Sequence, residues 1–186
     1  MEIGFAMCGS YCTYAQVFPI LEILTRDYNV TPIFSSAACE TDSRFGTAKE
    51  HMEIAAELCG KPLIHTIAQA EPIGPKKLFD LLVIAPCTGN TLAKLAHSIA
   101  DTPVTMAAKS HLRNGRPVLI AISTNDALAG AAENIGKLLA RKNYYFVPFG
   151  QDDPNNKPTS IVADFGKIPQ ALEAALEGRQ LQPILL

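Results

Sequence analysis

Apolar positions along this chain switch repeatedly between a strand-like and a helix-like spacing. Residues 2–7, EIGFAM, are a short apolar run that stops at Cys8-Gly9-Ser10, the signature of a strand entering a turn. Val17, Leu21, Leu24 and Tyr28 then recur at helical intervals, so residues 13–28 are expected to be helical, with Thr13 as cap and Pro19 as a bend. Residues 30–35 predict a second strand, and Pro32 places it at an edge or a bulge. A polar loop over 35–46 precedes a helix over 47–59 that Gly60 closes. Residues 62–79 hold three prolines and read as short and irregular.

The run DLLVIAP, 80–86, is almost wholly apolar, as a strand buried on both faces is. Residues 88–100 predict a helix with Leu92, Leu95, Ala96 and Ile99 on one stripe. Pro103 opens another helix that ends at Asn114-Gly115. A buried strand over 117–122, a helix over 127–141, a last strand over 144–149, a turn-rich loop over 150–160, a helix over 168–178 and an apolar tail complete the pattern. Alternating strands and helices predict an α/β fold, a Rossmann-like three-layer αβα sandwich with a mostly parallel sheet. Ligands of such sheets sit at the carboxyl ends of the strands. The loops to inspect are therefore 8–13, 35–46, 86–91 and 123–127.

Composition narrows the function. The 186 residues are 48% hydrophobic, which suits one domain over 1–186 with a real core. Net charge is −2 and charged residues make up 18%, so no basic excess points to nucleic acid or anionic lipid. No apolar run approaches the ~20 residues of a membrane span, and the amino terminus has no cationic leader pattern, so a cytoplasmic location is expected. Five cysteines at irregular spacing (8, 12, 39, 59 and 87) argue for reduced thiols rather than a disulfide framework. The scattered histidines and the lack of paired-ligand motifs argue against a metal site.

Each loop carries candidate chemistry. Gly9, Ser10 and Thr13 stand at a strand end before a helix, where backbone N–H groups and the helix dipole favour an anion; an ordinary strand–helix turn explains them equally well. Ser35 and Ser36 add hydroxyls at a second strand end. Arg44, in a loop, suits carboxylate recognition, against the alternative of a solvated surface side chain. Pro86 ends a strand, and Thr88, Gly89, Asn90 and Thr91 follow, a cluster richer in amide and hydroxyl groups than capping alone requires. Asn125 and Asp126 repeat the theme; Asp126 is either a helix cap or a general base, with Asn125 holding a ring or a carboxylate. Lys109 and Arg113, four apart on one helix, either meet an anionic substrate or are simply solvated. Four polar strand-end loops without a metal set point to a flat, phosphorylated ligand.

At these residues a family becomes visible. MCGSYCTY, SSA, IAPCTGNTLAKLAHSIADTPVT and RPVLIAISTN resemble, in order, the motifs of the flavoprotein family of flavin-dependent cysteine decarboxylases over residues 1–150. The resemblance implies bound FMN and assembly into trimers or dodecamers. By its motif positions Gly9 and Ser10 would meet the flavin or its phosphate, Ser35 the phosphate, and Thr88, Asn90 and Thr91 the flavin and its ribityl chain. The segments SRFGTA, AEPIGPK, TPVTMAAKSHLRNGRPV, ISTNDAL and VPFGQDDPNNKP are more specifically similar to the dipicolinate-forming branch of that family, across essentially the whole chain. This similarity implies an NAD(P)-binding partner protein with NADP as hydride acceptor, a small dicarboxylate substrate, and the mother-cell cytoplasm of a sporulating bacterium. The loop and tail over 149–186 are expected at an interface.

Three departures from the decarboxylases argue against oxidative decarboxylation of a cysteinyl substrate. Ala37-Ala38-Cys39 stands where they carry a His, Thr124-Asn125 lacks their Met, and no Cys follows Cys87. Gly89 replaces their usual Ala, a change compatible with flavin binding. A stand-alone FMN-dependent decarboxylase or prenyl-flavin-type enzyme remains one alternative, and a non-catalytic stabilising component another.

Overall fold

Each strand–helix unit runs the chain back to the same edge of one sheet. In a computed structural model describing residues 1–186, β1 (Glu2–Met7), β2 (Asn29–Phe34), β3 (Leu81–Cys87), β4 (Val118–Thr124) and β5 (Tyr144–Phe146) are parallel, in the order β2-β1-β3-β4-β5. A small antiparallel hairpin, β6 (Phe149–Gly150) and β7 (Ile161–Ala163), continues the sheet beside the carboxyl end of β4. This is the expected three-layer α/β architecture. α1 (Tyr14–Asp27) and α3 (Ala48–Cys59) pack together with α8 (Ile168–Leu176) on one face. α4 (Ile67–Ala70), α5 (Gly89–Ala96), α6 (Pro103–Leu112) and α7 (Ala132–Leu139) cover the other.

The central strands are what the apolar runs predict. Every residue of β3 is buried, and so is β4 from Val118 to Ser123, as a strand sandwiched between helix layers must be. Pro32 sits on β2, the outermost strand, opposite Phe5. Its outward carbonyl accepts from Ile64 N at 2.9 Å, so the missing N–H costs no ladder bond. Thr47 and Glu50 form a reciprocal capping box at the start of α3, and Gly60, at φ 59°, closes it.

Several boundaries differ from the sequence expectation. The loop over 35–46 contains a short helix, α2 (Ser36–Glu40), capped by the Ser35 side chain. The helix expected over 88–100 stops at Ala96, because Ser98 takes a positive φ of 59°; Ile99 consequently leaves the stripe and is 47% exposed. The helix expected from 127 begins at Ala132, after a turn in which Asp126 O accepts from Ala129 N and Ala131 N. The last strand is not continuous over 144–149: it breaks at Val147-Pro148 into β5 and β6, and β7 was not expected at all. A two- or three-residue strand carries too few alternating positions to register as a period.

Candidate functional site

Strand order locates the site. The connections from β1 and β3 leave in opposite directions across the sheet, to β2 and to β4, so a crevice opens between their carboxyl ends. A cavity of about 1010 Å³ occupies it, at the upper end of the range for small-molecule sites.

The loop after β1 supplies Gly9, Ser10 and Thr13. Thr13 Oγ1 donates to Ser10 O at 2.8 Å and fixes the turn. Ser10 Oγ shares a 2.7 Å hydrogen bond with Ser123 Oγ at the end of β4, which ties the two walls across β3. Tyr11 donates to Ala37 O at 2.7 Å, its hydroxyl lying beside the Gly9 α-carbon. The loop after β3 supplies Thr88, Gly89 and Asn90. Thr88 Oγ1 accepts from Thr91 N and so caps α5. The loop after β4 supplies Thr124, Asn125 and Asp126.

A packing detail sets the position of Asp126. Its Oδ1 accepts a 2.5 Å hydrogen bond from Thr124 Oγ1, whereas Oδ2 takes no bond from the protein. A methyl group on Gly89 would lie 2.8 Å from both Asp126 Oδ1 and Thr124 Oγ1, and one on Gly130 would lie 3.4 Å from Oδ2. The carboxylate thus lies against the bare α-carbon of Gly89, close enough that an alanine there would displace it.

Arg44 lines the cavity beside Phe45, its guanidinium 4.8 Å from that ring. The hairpin loop brings Asp152, Lys157 and Ser160 onto the far wall. Lys157 Nζ lies 3.2 Å from Asp152 Oδ2. The hydroxyl of Ser160 and the Lys157 ammonium hold the Asp152 carboxyl below its ordinary range. Thr159 Oγ1 donates to Asn125 O at 2.7 Å, which fastens this wall to the β4 loop. The cavity therefore has one cation from the β2 side of the crevice and one from the β4 side.

Not every expected residue reaches the cavity. Ser35 is spent as the cap of α2, and Ser36 is not part of the lining. Pro86 and Thr91 are buried beneath it: Pro86 O accepts from Cys8 N, and Thr91 donates to Cys8 Sγ at 3.3 Å. Lys109 and Arg113 lie away from it, in a second cavity beside the starts of β4 and β5, so within one chain they do not face the same ligand as Arg44. Burial pushes the Cys8 thiol up to about 11 and Cys87 well above its ordinary value, so neither is a nucleophile. Cys12 alone among the thiols is exposed and lines the cavity. No group of three or more His, Cys, Asp or Glu side chains is placed to hold a metal. No helix is long and apolar enough to cross a membrane. The sequence reading missed Lys157, Asp152 and Ser160; two acids and a lysine within a turn-rich loop were their only signal, and nothing local ties that loop to β4.

Comparison with known proteins supports this fold. A family model described as Flavoprotein matches residues 1–170. The B subunit of dipicolinate synthase from Bacillus subtilis (strain 168) is 48% identical over 186 residues, which is 100% of this chain and 93% of the relative. The crystal structure of the corresponding B subunit of dipicolinate synthase from Bacillus halodurans C superposes with a TM-score of 0.91 at 45% identity, covering 100% of this chain and 95% of that one. A more distant structure, Burkholderia xenovorans DmrB in complex with FMN, described as a cubic protein cage for redox transfer, shares the fold with a TM-score of 0.69 at 17% identity over 95% of each chain.

Proposed function

This chain belongs to the Flavoprotein family, and from that premise we propose that it acts as the B subunit of dipicolinate synthase, helping to oxidise dihydrodipicolinate to dipicolinate (pyridine-2,6-dicarboxylate) during sporulation. The end-to-end similarity to that protein carries the reading. The strand-end cavity supports it chemically. A flat ring with two carboxylates needs cations on two sides: Arg44, which no carboxylate pairs, enters from one side of the crevice, and Lys157, which would exchange its exposed partner Asp152 for the substrate, from the other. Aromatisation removes one hydride and one proton from the ring. Asp126 is the proton acceptor, through the Oδ2 that the protein leaves free. Thr124 fixes the other oxygen, and Asn125 orients the ring. The hydride goes to NADP on the A subunit, which reads as an NAD(P)-binding dehydrogenase.

The residues present also fit FMN. The turn over 9–13 offers the Ser10 hydroxyl and backbone N–H groups before a helix for the phosphate. Thr88, Gly89 and Asn90 present hydroxyl, bare backbone and amide to a ring. FMN supplies a two-electron acceptor when bound. Leu185 and Leu186, 68% and 60% exposed at the end of the chain, mark the segment 149–186 for contact with another copy or with the A subunit. The assembly follows the trimers or dodecamers of the family, in the mother-cell cytoplasm.

Reconstitution tests the reading. The purified chain and A subunit are mixed, dihydrodipicolinate is added, and NADPH formation is followed. Activity is expected only with both proteins present. Full activity of the A subunit alone would make this chain a stabilising partner.

A further inference from the structure

The second cavity holds an unbalanced set of charges. Nine of the sixteen Lys and Arg side chains pair with a carboxylate. Of the seven that remain, four (Lys109, Arg113, Arg141 and Lys142) line one cavity of about 470 Å³. No carboxylate lines it. Two acids on flanking segments are already engaged: Asp101 pairs with Lys94 at 2.8 Å and Glu133 with Lys137 at 2.6 Å.

Like charges four apart along a helix repel, and Lys109 in the last turn of α6 and Arg113, the residue that caps it in helical conformation, are such a pair. A counter-anion relieves that repulsion. Arg141 is held ready, because it donates to Leu95 O and Ala96 O at 3.0 and 2.6 Å at the end of α5. The floor is apolar, formed by Leu95, Leu112 and Tyr144. Two cations come from the end of α6 and two from the turn before β5, so negative charge is met from two sides.

We infer that this cavity binds a small organic dianion with an apolar ring or chain, at a site separate from the strand-end cavity. The inference depends on the functional reading above only for its choice of probe, dipicolinate.

Calorimetric titration of the full chain with dipicolinate tests it. Arg44→Ala removes a cation from the strand-end cavity and leaves this one intact. It is expected to retain one dipicolinate site per chain, whose affinity falls at least tenfold when Lys109→Ala and Arg113→Ala are added. Both side chains are exposed, so the urea midpoint of these variants should match that of the parent. The inference is overturned if Arg44→Ala abolishes all binding, or if Lys109→Ala/Arg113→Ala leaves the affinity within twofold. Inorganic phosphate binding as tightly as dipicolinate also overturns it, since the apolar floor would then contribute nothing. So does a change in oligomeric mass on removing the two cations, which would assign the face to a contact between copies. A raised substrate KM in Arg44→Ala with this site preserved separates the two readings.

Discussion

Gly89→Ala is a one-methyl test of how Asp126, the proposed base, is held. The new Cβ would lie 2.8 Å from Asp126 Oδ1 and from Thr124 Oγ1, against 3.4 Å for the start of ordinary contact. Relief requires the Asp126 carboxylate and the Thr124 hydroxyl to retreat by about 0.6 Å, from 2.8 to 3.4 Å, because the α5 backbone is fixed by its cap. A 1 Å misplacement of a reacting group costs ~100-fold, so this retreat predicts a kcat about tenfold lower. Stability should move little. Alanine gains up to ~1 kcal/mol over glycine in a helix, and the crowding it introduces costs ~1–3 kcal/mol. The assay is NADPH formation by the reconstituted pair, with thermal melting of the same samples. Asp126→Asn sets the scale, since removing a general base costs ~10²–10⁴-fold. A kcat within twofold of the parent for Gly89→Ala, with Asp126→Asn inactive, would refute the positioning argument. Full activity of Asp126→Asn would remove Asp126 as the base.

The remaining predictions concern charge and burial. Arg44→Ala and Lys157→Ala should each raise the substrate KM more than they lower kcat; an unchanged KM in either removes that cation from the substrate. Ser10→Ala and Asn90→Ala should weaken FMN binding, read from flavin fluorescence, and unaltered affinity would detach the two loops from the flavin. Burial holds the His111 imidazole at about 4 rather than 6.5, with Nε2–H donating to Pro117 O at 3.0 Å and Nδ1 left without a partner. The folded state therefore resists protonation that the unfolded chain accepts. Stability from this group is full above pH 6.5, falls through to pH 4 and loses no more below it, a span of ~3 kcal/mol at ~1.4 kcal/mol per pKa unit. Urea midpoints between pH 7 and pH 4.5 should fall less in His111→Gln than in the parent. Native protein should show one fast-reacting thiol per chain, absent in Cys12→Ser, since burial raises Cys8 and Cys39 to about 11 and Cys59 to about 12.

What was legible in the sequence follows from the range of the forces involved. β3 and β4 announce themselves because burial on both faces demands an unbroken apolar run. Thr88 and Gly60 are legible as a cap and a stop because those roles are local. The strand-end loops could be named from the α/β alternation alone. Lys157 could not, because its place in the cavity depends on an antiparallel pairing between residues 161–162 and 123–124 that no nearby spacing encodes. Lys109 and Arg113 had the right chemistry and the wrong location: helical spacing shows that they share a face, but not which cavity that face meets.

The cavity wall that carries Lys157 hangs from a relay of short pairings. β4 holds β7 through two residue pairs, β7 holds β6 through two more, and β6 is held in turn where Phe149 N donates to Ile184 O and Leu186 N to Phe149 O, each at 3.0 Å. Segments with so few backbone bonds open at low free-energy cost. A ligand that touches this wall stabilises the closed form by mass action. Order in the hairpin and occupancy of the cavity should therefore rise and fall together.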